Sequence, residues 1–141
     1  MRRLTAAGDR FGQARDLAAV LDAACEAFEE ILAVIGGYED ANDALVVPLL
    51  LAATQAANGR DAVLFAPSLT ARRLHQLGVG EELERGSAQD VIVAVTGLCQ
   101  LLASRLAHTA AAAADVADRA ACRDAARHAQ QICALLAGSG P

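Results

Sequence analysis

ANGRDAVLFAPSLT, residues 57–70, brings Gly59, Phe65 and Pro67 together in a chain that otherwise reads as alanine-rich helix. How this stretch is divided decides how many rods the fold contains. Asn58-Gly59 reads as the end of the preceding helix, and Asp61 as the cap of a turn carrying Val63, Leu64 and Phe65. Pro67-Ser68 then opens a short helix, LTARRLHQL, which Gly78 stops. The glycine-spaced, charged GVGEELERGS that follows reads as a loop or a single helical turn. Residues 61–86 thus form a short helical crossover with long helices on either side.

Those long helices follow from hydrophobic spacing. From Asp16 to Ile35, Leu17, Leu21, Ala24, Phe28, Ile31 and Ile35 recur at steps of four and three, a stripe suited to packing against other helices. Gly36-Gly37 offers the left-handed glycine at which helices often stop. After Asp40, Asn42 and Asp43, all suitable N-caps, ALVVPLLLAATQAAN is apolar nearly all round, the mark of a helix buried on several sides. Pro48 has no N–H to donate, so this helix either kinks there or begins late. Ser87 and Asp90 resemble a capping box leading into a seam of Ile92, Val95, Cys99, Leu102 and Leu106. An unbroken helix over 88–137 would be about 75 Å long, too long for so small a domain, so Asp115, with Asp118 three residues on, marks a break. The last helix carries Cys122, Ala125, Ala129, Ile132 and Leu136 on one seam. The expected fold is all-α, a four-helix bundle whose crossover at about 61–86 joins the second long helix to the third. A single helical-bundle domain spans 1–141, with 1–10 and 138–141 as flexible ends.

Composition agrees with this class. Of 141 residues 55% are hydrophobic but only 3% aromatic. Alanine costs a helix no side-chain entropy, and residues that favour strands are sparse. With so few rings the core gains density by close approach of alanine faces, with Phe28 and Phe65 as the large fillers. The segment around Phe65 is either a connector with a hydrophobic anchor or a lid over a pocket at 61–77, to which Arg72, Arg73 and His75 would bring polar contacts.

Charge and motif exclude several activities. A net charge of −5 without a dense basic run gives no phosphate-neutralising surface, so no nucleic-acid partner is expected. LTARRLHQLGVGEELERGSAQDVIV loosely evokes a helix-turn-helix, but Glu81, Glu82 and Glu84 and the apolar helix after them weaken a DNA-associated reading. MRRLTAAGDRFG has no apolar stretch behind its arginines, and ALVVPLLLAA is too short to cross a bilayer, so a cytoplasmic protein with no membrane partner is expected. The residues three before His75, His108 and His128 are Arg72, Arg105 and Ala125, so the Glu-x-x-His pairs of helical di-metal centres are missing. HExxH and the phosphate-cradling glycine motifs are missing as well, and no cofactor or metal is expected.

Cys25, Cys99, Cys122 and Cys133 form no CxxC pair, and Cys122 and Cys133 stand about 16 Å apart along one helix. All four read as buried, reduced thiols that fill space. Asp124 lies four residues before His128, an expected local ion pair. Arg119, Arg123 and Arg127 make a basic stripe, which Asp22, Glu26, Glu29 and Glu30 of the first helix complement, within one chain or across a dimer. Alanine, arginine and aspartate are abundant and lysine is absent, as in GC-rich bacterial genomes. More apolar helical surface is present than one small core covers, so the leading expectation is a non-enzymatic bundle acting through protein contacts, as a homodimer. A ligand-binding or enzymatic bundle, with its pocket under 61–77, is the alternative, and a DNA-associated regulator using Arg72 and Arg73 is the second alternative.

Overall fold

The computed structural model describes residues 2–37, 43–69 and 88–138, and every regular element in them is a helix. In chain order these are α1 (Arg2–Gln13), α2 (Leu17–Gly36), α3 (Asp43–Leu64), α4 (Ala88–Ala112) and α5 (Val116–Ala137). The protein is all-helical, as composition implies. Among the described residues five helices stand where four long ones were expected.

The additional helix is α1, in the span read as a flexible end. Its Leu4, Ala7 and Phe11 recur at steps of three and four and are buried against α2 and α4. Arg105 of α4 donates hydrogen bonds to the carbonyl oxygens of Phe11 and Ala14, and its guanidinium lies 5.3 Å from the centre of the Phe11 ring. A cation thus closes the carbonyl end of α1, where the helix dipole favours positive charge. Two ion pairs fix its other side: Arg3 Nε lies 2.8 Å from Glu30 Oε2, and Arg10 pairs with Glu26.

α2 starts where the apolar spacing begins, and α5 where Asp115 marks the break. Asp16 caps α2 by accepting from the Ala19 amide at 2.8 Å. Asp115 caps α5 by accepting from the amides of Ala117 and Asp118. The stop at Gly36-Gly37 takes another form, since Gly37 is right-handed with φ −85° and donates back to the Ala33 carbonyl.

The reading of 57–70 is corrected. Asn58-Gly59 does not end a helix; α3 runs through it to Leu64. Gly59 serves a close approach, because a Cβ there would meet the Phe28 ring of α2 at 2.5 Å. α3 also begins ahead of Pro48, so the late start is not taken. Val63 is fully buried, whereas Phe65 is 83% exposed. Phe65 is therefore no core filler; Phe11 joins Phe28 in that role. Beyond α3 the chain turns through Ala66 and Leu69, and Asp118 ties it to α5 by accepting from the Ser68 amide at 2.9 Å and from its hydroxyl. The rest of the expected crossover, 70–86, and Ser87 of the expected capping box lie outside the described residues.

α5 packs along α3 and α4, α2 packs on α3 and more lightly on α4, and α1 lies over α2 and α4. Between them sit Leu21, Phe28, Ile31, Val95, Leu102, Leu106, Ile132 and Leu136, with Ala24, Ala27, Ala52, Ala56, Ala125 and Ala129 fully buried at the helix contacts. Small side chains let the axes approach, which replaces the volume that rings would otherwise fill. Among the described residues, the helix with the length and apolarity to cross a bilayer is α4 over Gln89–Ala112, and 44% of its apolar 18-residue window is buried against the other helices.

Candidate functional site

The long apolar run of α3 divides between two surroundings. Leu49, Ala52, Ala56 and Val63 enter the core, while Val46, Val47, Leu50 and Leu51 face outward, Val47 and Leu50 more than 60% exposed. This outward face follows directly from a sequence that is apolar all round the helix, since one helix of a small bundle can bury only part of its circumference. No charged residue occurs from Ala44 through Gly59. Thr54, next along the exposed line, turns its hydroxyl back onto the Leu50 carbonyl at 3.1 Å. The result is an uncharged, solvent-facing strip of branched aliphatic side chains. Leu64, Phe65 and Val116 are exposed as well, near the end of the molecule where Ser68 meets Asp118.

The residues singled out from sequence are placed differently from one another. Phe65 stands in solvent at the end of α3, and Arg72, Arg73 and His75 lie outside the described residues. Within one chain the basic stripe does not meet the acids of α2. Arg119 donates to the Ala114 carbonyl, Arg127 pairs with Asp124 at 3.4 Å, and Arg123 is exposed. Glu26 and Glu30 are buried beneath α1 and paired with Arg10 and Arg3, Glu29 accepts from the Cys25 thiol, and Asp22 is half-buried on α2. The physical reason is the helix order: α5 packs on α3 and α4, and α1 occupies the acidic side of α2. His128 also differs from expectation, its Nδ1 lying 2.7 Å from the Gln55 side-chain oxygen of α3 while Asp124 turns to Arg127.

A groove of about 310 Å³ runs between α1 and α4, lined by Leu4, Gly8, Val93, Gly97 and Leu101 among others. It lies away from the described part of the 61–77 segment. Among the described residues no three His, Cys, Asp or Glu side chains gather as a metal site. All four cysteines are free thiols; Cys99 and Cys122 are buried, and Cys25 and Cys133 are half-buried. One juxtaposition has no signature in the sequence: the Cys133 Sγ of α5 lies 3.8 Å from the carbonyl oxygen of Thr96, one turn before Cys99 on α4.

No protein-family model, no curated protein and no solved structure matches this chain.

Proposed function

We propose that the protein is a non-enzymatic helical bundle that pairs with a second copy of itself through the outer face of α3. In this reading α2 to α5 form the four-helix bundle and α1 straps it. The observation that carries the proposal is the exposure of Val46, Val47, Leu50 and Leu51 together on one charge-free helix face. Apolar surface of this kind gains free energy when removed from water, at about 25 cal/mol per Å². A second copy suits it because a twofold axis sets each apolar side chain of the strip against another, so that the strip is its own complement. The chain's net charge of −5 opposes association in general, and a face without charges is where two copies meet with least repulsion.

Sedimentation velocity at tens of micromolar tests this directly. The wild-type chain is expected to sediment as a dimer and Leu50→Glu as a monomer with unchanged helical circular dichroism. A monomeric wild type, or a dimer that survives Leu50→Glu, overturns the proposal.

A further inference from the structure

Cys99 and Cys133 face each other across the contact of α4 with α5. The Cys133 Sγ lies 3.8 Å from the carbonyl oxygen of Thr96, one turn before Cys99 on α4. Helical side chains lean toward the N-terminus, so the Cys99 thiol stands over that same turn, on the side of α4 that packs against Cys133. Cys99 is fully buried, and Cys133 is partly open to solvent. We propose that these two residues form an oxidation site, at which a peroxide closes a disulfide that staples α4 to α5.

The roles follow from their surroundings. Cys133 is the attacking group, since solvent reaches it and the neighbouring Cys99 thiol holds it down to about 7. Cys99 is held well above the ordinary thiol range by the neighbouring Cys133 and by burial, and stays protonated. The Cys133 thiolate attacks one peroxide oxygen; an S–O bond forms, the O–O bond breaks, and the departing hydroxide takes a solvent proton to become water. The Cys99 thiol then attacks the Cys133 sulfur; the S–S bond forms, the S–O bond breaks, and the Cys99 proton leaves with the hydroxide as a second water. Two thiols lose two electrons, and one peroxide becomes two waters. Cys25 and Cys122 are in the opposite condition, because burial pushes both thiols up.

The sequence makes the test simple. The chain has no lysine, so tryptic cleavage after arginine leaves Cys25 in 16–60, Cys99 in 86–105, Cys122 in 120–123 and Cys133 in 128–141. The folded chain is treated with hydrogen peroxide, its remaining thiols are alkylated, and the digest is read by mass spectrometry. Peptide 86–105 joined to 128–141, separable by a thiol reductant, is the expected product. Before oxidation, iodoacetamide is expected to label Cys133 at least about tenfold faster than Cys25. In Cys99→Ser, which lacks the second thiol, dimedone is expected to trap a sulfenic acid on Cys133. Free Cys99 and Cys133 after peroxide treatment, or a bridge that involves Cys25 or Cys122, overturns the proposal, and the wild-type peptide map decides this without any variant.

Discussion

Gly59 of α3 lies so close to Phe28 of α2 that a methyl group on it would stand 2.5 Å from one ring carbon and 2.6 Å from the next. The ring is fully buried and cannot swing aside. In an ordinary helix interior, replacing glycine with alanine stabilises by up to about 1 kcal/mol. Here the sign is expected to reverse, because overpacking a closed core costs about 1–3 kcal/mol. Gly59→Ala is expected to lower the urea midpoint, and adding Phe28→Leu to recover part of the loss. A double-mutant cycle with purely additive effects would show that the contact does not carry the cost.

This contact also explains why the sequence misled at 57–70. Asn58-Gly59 reads as a helix stop by local rules, but the glycine is there for a close approach to a ring thirty-one residues earlier, which no local rule sees. Asp115 was legible because an N-cap acts within three residues of itself. α1 was harder to see. Leu4, Ala7 and Phe11 have helical spacing, but Gly8, Gly12 and a polar surface weaken it, and Arg105, which closes its end, is remote in sequence. The candidate face on α3 was half legible: an all-round apolar helix announces surplus surface, but which residues stay outside depends on how α2 and α5 pack against it.

Arg105 holds both carbonyls at the end of α1, and Phe11 beneath it is fully buried. Arg105→Ala is expected to cost on the order of 2 kcal/mol, because hydrogen bonds from a charged donor outweigh neutral ones. The loss should be local. Amide hydrogen exchange over residues 2–14 is expected to speed up more than exchange in α5; a uniform increase throughout the chain would mean that α1 is integral to global stability and not a separately opening strap.

Asp118 is buried in the first turn of α5 and accepts from both the amide and the hydroxyl of Ser68. Asp118→Ala is expected to destabilise by about 1–3 kcal/mol, since it removes the acceptor from a buried amide and a hydroxyl together. Ser68→Ala loses one of the two bonds and should cost less. Limited proteolysis supplies the local readout: cleavage near residues 65–69 is expected to rise in Asp118→Ala before the rest of the chain is cut. Equal effects of the two substitutions on the thermal midpoint would contradict this division.

Thiol burial sets an alkaline limit on stability. Desolvation, aided by the Glu29 carboxylate, pushes Cys25 up to about 12, and desolvation aided by Asp118 pushes Cys122 up to about 11, against 9.0 for an unshifted thiol. Below pH 9 both states hold these protons and the contribution is complete. Above it the unfolded chain releases them first, holds fewer protons than the folded chain, and is favoured as the pH climbs. The urea midpoint is therefore expected to fall between about pH 9 and pH 11. The double variant Cys25→Ser with Cys122→Ala should start from a lower midpoint, because it disturbs the core, but descend less steeply. An identical slope in the double variant would place the alkaline loss elsewhere.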